Sequence, residues 1–275
     1  MIDVFDLHND FLTELKTYDK QKRYISAARK TGLMNVCSAV WTTSMNREMA
    51  LSSIERAEYF AKNNNVKFAV EDLWFAKNID DIQWVADMNP AYIGLTWNNE
   101  NKLGGGSKSF SGLTQFGYDT IKLLEDNHIQ IDTAHLNEQS FMNFSNITTR
   151  PILCSHTACG NLTHHSRNLK DYQLKIISES GGLVGIAFVP EFLTEEKKAN
   201  VSDITRHIDH LVCKLGIDHV GIGSDFYGTR IYPKHIRGYK SLLRVQNELQ
   251  LLGYTTSSIE KIFFRNVVAF FDKNF

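Results

Sequence analysis

Eight short apolar runs recur along the chain, separated by segments whose apolar positions fall three or four residues apart. The runs are Val4 to Leu7, Val36 to Trp41, Val66 to Val70, Tyr92 to Thr96, Ile129 to Ala134, Pro151 to Ser155, Leu183 to Phe188 and His219 to Gly223. Each is rich in Val, Ile, Leu or Ala, as parallel strands buried on both faces are. Between them, Ile204, Ile208, Leu211 and Leu215 make one helical stripe, with Ser202 as its expected cap and Gly216 as its stop. Ser257-Ser258-Ile259-Glu260 reads as a capping box ahead of Ile262, Phe263, Val267 and Phe270. Leu242, Val245, Leu249 and Leu252 lead into Gly253 in the same manner. Strand and helix alternate throughout, with no internal repeat and no linker. The expectation is a parallel α/β sheet, open or closed, in one domain covering residues 1–275.

Length narrows this. A (β/α)8 barrel typically takes about 250 residues, so 275 residues would be nearly used up by one. Thirty basic residues against thirty-one acidic ones leave a formal charge of -1, and no basic stripe points to a nucleic-acid partner. No apolar run approaches the roughly 18 residues of a membrane span. The first residues lack the basic and apolar regions of a secretory signal, so a cytoplasmic protein is expected. Cys37, Cys154, Cys159 and Cys213 form no CxxC pair, which argues against a thiolate zinc site and for free thiols.

The chemistry lies at the strand ends. His8 and Asp10, Glu71, His135, His156 and Asp225 each fall at or just past the C-terminal end of an expected strand. That edge carries the active site in barrels and open α/β sheets alike. Residues two apart share a face, so His8 and Asp10 can reach one point together. By the same parity Glu71 goes with Ala69, His156 with Cys154 and Ile152, and Asp225 with Gly223 and Gly221. Asp132 would then point outward to the helix layer, a placement with no explanation at this level. Any one of these residues is more often a solvated or ion-paired side chain, but their conjunction across five strands favours a site. Imidazoles and carboxylates without thiolates suit catalytic zinc. Two metals about 3.5–4 Å apart could share a carboxylate and a bridging hydroxide, a nucleophile at neutral pH.

Asp6-Leu7-His8-Asn9-Asp10 resembles the opening Asp-Gly-His-Asn-Asp motif of the membrane (renal) dipeptidase family. Gly112-Leu113-Thr114 with Phe116-Gly117, Ile131 to His135, Cys154 to Ala158, Ser166-Arg167-Asn168 and Gly223 to Gly228 resemble later family segments, in order. The resemblance runs from about residue 3 to the C-terminal helix. It implies a TIM-type barrel, a soluble homodimer, and a zinc dipeptidase with two Zn2+ per subunit, tolerant of a D-residue at the substrate's C-terminal position. It implies His8 and Asp10 on one metal, His135 and His156 on the other, and Glu71 bridging them. Asp225 would face the substrate's amino group and help move a proton, and Arg167 would take its carboxylate. Two departures stand out. Trp97, in Leu95-Thr96-Trp97-Asn98-Asn99, occupies the place of a family histidine that lies near the developing oxyanion. Indole offers only an N–H donor and cannot take up a proton. Leu7 replaces a glycine beside the first ligand.

Other features carry less. Gly104-Gly105-Gly106-Ser107 lacks a phosphate-loop pattern and is expected as a flexible loop at the mouth. His164-His165 is expected in the same mouth, and His207 and His210 as a surface pair on a polar helix face. Trp74, Phe75 and Trp84 are expected to pack. The competing readings are another metal-dependent barrel hydrolase, a deaminase or lactonase of the amidohydrolase type, and a metal-binding barrel without turnover. The former typically opens with His-x-His and bridges its metals through a lysine, where this chain has His-x-Asp and Glu71.

Overall fold

The computed structural model describes residues 2–43 and 45–274. Its strands are β1 (Val4–Asn9), β2 (Leu33–Trp41), β3 (Lys67–Glu71), β4 (Ile93–Gly94), β5 (Ile131–Asp132), β6 (Leu153–Thr157), β7 (Leu183–Ile186) and β8 (Val220–Ile222). They run parallel, pair in sequence order, and close into a barrel where β8 meets β1. Each of the eight expected runs overlaps a strand, and the question of an open or closed sheet is settled as closed.

Two apolar layers hold the barrel. Inside it, Phe5, Leu7, Cys37, Ala69, Tyr92, Leu153 and Leu183 pack together. Val267, Phe270 and Phe271, on the last helix (Asn266–Asn274), join this cluster and seal the end where the strands begin. Outside it, the other strand faces pack against the helices in a larger core. With one end plugged by apolar side chains, polar residues that point inward collect at the other.

Strand alternation alone would not put the histidines there. Between β1 and β2 the register passes from Asp6↔Val36 to Asn9↔Ser38, three residues against two. Between β6 and β7 it passes from Cys154↔Val184 to Thr157↔Ile186, again three against two. An extra residue re-aims every side chain beyond it. Leu7 and His8 therefore both reach the interior, as do Leu153 and His156. This corrects the expected parity of β6, because Ile152 and Cys154 belong to the outer core. Gly185 and Gly223 make the bulge in β6 sterically feasible, since a Cβ there would lie 2.0 and 1.8 Å from the Ser155 carbonyl oxygen.

Asp132 is likewise corrected. β5 stops at Asp132, and the chain turns through Thr133 and Ala134 to His135, whose φ of 71° is left-handed. Alternation ends there, so Asp132 and His135 both face inward. The carboxylate of Asp132 lies within 4.8 Å of ring nitrogens of His8 and His156.

Two helix starts differ from expectation by two residues. Asn200, not Ser202, caps Val201–Leu215, in a reciprocal box with Asp203. Thr255 caps Thr256–Glu260, which passes through one wide turn, Lys261–Arg265, into the last helix. In both cases the upstream residue is extended, which lets its side chain reach back to the first free N–H groups. His207 is not a surface residue: it is fully buried, accepting from the Cys159 amide at Nδ1 (3.0 Å) and facing the Leu193 carbonyl at Nε2 (3.0 Å). Only His210 stays near the surface, against Asp171. Trp74 is half exposed, whereas Phe75 and Trp84 pack as expected. Gly104 to Gly106 are buried and tightly packed rather than flexible, with Gly106 against the backbone of Trp97 to Asn99. Among the described residues no helix is long and apolar enough to cross a membrane.

Candidate active site

The residues named from the strand ends meet in one place. His8 Nε2 lies 3.3 Å from Asp10 Oδ2 and 3.6 Å from Glu71 Oε2. His135 Nε2 lies 2.7 Å from the other Glu71 oxygen, Oε1, and 3.0 Å from His156 Nε2. The rings of His8 and His156 stack with centroids 3.7 Å apart. Each half of the cluster could hold a cation: His8, Asp10 and Glu71 on one side, Glu71, His135 and His156 on the other.

The donor set fits a metal on its own chemistry. Among the described residues, His8 Nε2 and Asp10 Oδ1 are buried without a hydrogen-bond partner, an arrangement that costs roughly 1–3 kcal/mol per atom unless something satisfies it. Three ring nitrogens and the carboxylates of Asp10 and Glu71 converge on one another, a donor set that suits a cation. The outer ring nitrogens are occupied. Tyr92 donates its hydroxyl to the Leu7 carbonyl (2.9 Å), so His8 Nδ1, 2.9 Å from that hydroxyl oxygen, must donate to it. His135 Nδ1 donates to Asn98 Oδ1 (2.9 Å), which also accepts from Ser107 (2.8 Å). With Nδ1–H turned outward in both rings, Nε2 of His135 is unprotonated, and Nε2 of His8 becomes so once that imidazole gives up its second proton, the tautomer a metal ligand needs. His156 Nδ1 lies 2.8 Å from Ser155 Oγ.

Above the cluster is a cavity of about 300 Å³. Asp10, Glu14 and Asp225, from the β1 and β8 ends, line it along with Lys108 and Arg167, from the loops after β4 and β6. Arg167 is buried, gives one N–H to the His156 carbonyl (3.1 Å), stands 5.4 Å over the Phe192 ring, and keeps Nε without a partner. Trp97 forms another wall, 5.2 Å from Trp41 and 6.0 Å from the His135 ring. His165 lies at the rim against Phe192 and accepts from the Arg167 amide, while its neighbour His164 is exposed.

Burial and crowding reset the protonation of these groups. Burial opposes charge on His8, but Asp10, Glu71 and Asp225 overcome it and push the imidazole up to about 10. Burial pushes Asp10 up to about 6 against the pull of His8. Asp225 rises well above the usual carboxylate range, by burial first and then by repulsion from Asp10 and Glu71. Glu71 goes the other way: burial would raise it, but His135, His8 and Arg167 hold it low. Burial and nearby positive charge lower both His135 and His156.

Residues 18–273 match the family model described as membrane dipeptidase, peptidase family M19. The chain belongs to that family. It is accordingly an enzyme of the metallo-dipeptidase class. A Klebsiella pneumoniae protein from the pqqA 5′ region is 36% identical over 186 residues, covering 63% of this chain and 68% of its own length. Dipeptidase tcpJ of Claviceps purpurea is 28% identical over 161 residues, covering 57% of this chain but only 37% of that protein. A metallo peptidase from Rhodobacter sphaeroides, solved with a phosphinate mimic of the dipeptide L-Ala-D-Ala, shares the fold. Its TM-score is 0.90 at 22% identity, over 100% of this chain and 99% of that one.

Within this M19 barrel several site residues escaped the sequence reading. Tyr92, Ser107 and Ser155 support the histidines from outside and Trp41 backs Trp97, while Asn98, whose place after Trp97 offers a donor near the oxyanion, turns its carbonyl to His135. None carries a charge at a strand end, which was the signal used. Ser155 precedes a named histidine and Asn98 follows Trp97, so adjacency was the available clue. Left-handed φ values at His135 (71°), Asp225 (58°) and Tyr227 (72°) mark the same rim and leave no pattern in residue types.

Proposed function

We propose that this barrel hydrolyses the peptide bond of free dipeptides, using two divalent cations, zinc by its donor set. His8 and Asp10 would hold one ion and His135 and His156 the other. The observation that carries this reading is the split of Glu71, whose two oxygens face different histidines at 3.6 and 2.7 Å. When bound, such a pair of ions lowers the pKa of water to about 7 and polarises a carbonyl.

The chain's own residues do the rest. Arg167 receives the substrate carboxylate with a buried, planar, always charged fork. Asp225 binds the substrate's free amino group and passes a proton to the leaving amine. Burial and the neighbouring carboxylates raise its hold on a proton, which suits a group that moves one. Arg167 and Asp225 together measure length, so a blocked or longer peptide loses one of the two contacts. Trp97 and Trp41 exclude water beside His135 and form an apolar wall for a substrate side chain. The L-Ala-D-Ala mimic bound to the Rhodobacter protein supports a D-residue at the C-terminal position here.

The test is hydrolysis of L-L and L-D dipeptides, an N-acetylated dipeptide and a tripeptide, with and without chelator. Chelator-sensitive cleavage confined to free dipeptides is expected. Equal cleavage of the blocked or longer substrates removes the measuring roles of Asp225 and Arg167. No cleavage by protein holding two zinc equivalents rejects the dipeptidase reading for this chain.

A further inference from the structure

The barrel contains the same polar device twice. Across the β8–β1 seam, Asp6 Oδ1 accepts from the Ser224 amide (2.8 Å) and the His8 amide (3.3 Å), and Oδ2 accepts from the Ser224 hydroxyl (2.5 Å). Across β5 and β6, Asp132 Oδ1 accepts from the Ser155 amide (2.8 Å) and the Ala134 amide (3.1 Å), and Oδ2 accepts from the Ser155 hydroxyl (2.5 Å). Each carboxylate clamps a neighbouring strand by one serine, and all four residues are buried.

The copies differ in what the serine touches next. In the first, Asp6 takes a further hydrogen bond from Tyr239 (2.6 Å), and His8 is oriented separately by Tyr92. In the second, the Ser155 oxygen lies 2.8 Å from His156 Nδ1. The Ser155 hydroxyl hydrogen is already committed to Asp132, so its oxygen can only accept from the imidazole. Nδ1 must then carry the hydrogen, and Nε2 faces His135 Nε2 with its lone pair free.

We propose that Asp132 and Ser155 are positioning residues, a relay that locks His156 in the Nδ1–H tautomer and so readies Nε2 for a cation. This rests on His156 being a metal ligand, as in the function proposed above. It also gives Asp132 the purpose that its inward placement demands. An outer partner that fixes a ligating imidazole is worth about ten- to a hundredfold in metal affinity.

The duplicated device supplies the control. Ser155→Ala removes the link to His156 but keeps the amide bond to Asp132, so the strand clamp survives in part. Ser224→Ala makes the same deletion in the copy whose serine hydroxyl holds no histidine ring. Three readouts separate the roles: 15N shifts of the His156 ring in chelated protein, zinc affinity by competition with a chromogenic chelator, and melting temperature of the chelated protein. The expected result is Nδ1–H on His156 in wild type and a mixture of tautomers in S155A. One zinc equivalent should weaken about ten- to a hundredfold in S155A and neither in S224A, while both variants melt lower. An Nε2–H tautomer in wild type overturns the relay, and this measurement needs no variant to fold. Equal zinc affinity in S155A and wild type, or equal losses in S155A and S224A, reduces the device to a strand clamp and also overturns it. Wild-type protein that takes up no zinc would reject the metal reading instead, with the tautomer still deciding the relay.

Discussion

Replacing Arg167 with methionine should abolish the preference for a free C-terminal carboxylate that the proposed function requires. Arg167 is 6% exposed, and among the described residues its guanidinium hydrogen-bonds the His156 carbonyl alone and leaves Nε without a partner at the cavity wall. Nothing charged is paired with it by direct hydrogen bond, so a substrate carboxylate would complete a buried ion pair. Removing one member of such a pair costs about 3–5 kcal/mol, or roughly 150- to 4,000-fold in kcat/KM. Methionine keeps apolar contact with Phe192, but the change also removes the bond to the His156 backbone, which could lower activity for every substrate. The assay is therefore a ratio: kcat/KM for a dipeptide over kcat/KM for its C-terminal amide, in wild type and R167M. Effects on metal and fold cancel in it. A ratio that is large in wild type and falls by at least about a hundredfold in R167M is the expected result. An unchanged ratio would refute the assignment, whatever happens to the absolute rates.

Three further outcomes follow from the site. A Cβ on Gly228 would sit 1.8 Å from Asp225 Oδ1 and 2.5 Å from Asp10 Oδ2. Gly228→Ala should displace both carboxylates and lower kcat about a hundredfold or more with a wild-type circular dichroism spectrum; a wild-type rate would show that neither position matters to turnover. The raised His8 pKa makes zinc binding a competition with a proton, so affinity should climb between about pH 7 and 10, by up to roughly tenfold per unit, and level off above. In chelated protein the same group stabilises the fold fully below its ordinary value of 6.5 and stops doing so as pH rises through about 10. Melting temperature without metal should therefore fall over that range, and a flat profile would contradict the shift.

The fold was legible from short-range pattern because a barrel repeats one pattern eight times. Each buried strand leaves an apolar run, and each helix leaves a stripe and a cap, so even two-residue ladders such as β4 and β5 were located. What pattern could not supply was the ends. Asn200 and Ser202 are equally good caps by residue type, and only the extended backbone at Asn200 decides between them. His207 looked like a surface histidine because its helix face is polar in sequence. In space that face meets the loop after β6, whose Cys159 amide and the Leu193 carbonyl consume both ring nitrogens.

The site was legible as a list of residues and illegible as a geometry, for a reason that lies in the strand itself. An alternating strand offers every second side chain to the barrel interior, and those offered lower down must be apolar to fill it. A cluster of five candidate ligands within a few ångströms needs more inward positions near the rim than alternation allows. Here the rule is broken at three strands: extra residues in β1 and β6 turn His8 and His156 inward above Leu7 and Leu153, and a left-handed turn after β5 brings in His135. Each break puts a backbone or carboxylate where alternation would not, and each is held in place: Gly185 and Gly223 yield to the Ser155 carbonyl, Asp6 clamps Ser224, and Asp132 clamps Ser155. Parity counting fails at these points because each break depends on a partner from a different strand end: Gly185 and Gly223 for the Ser155 carbonyl, Ser224 for Asp6, and Ser155 for Asp132. The break in alternation that made Asp132 look misplaced belongs to the same set of breaks that brings the metal-competent side chains together at the rim.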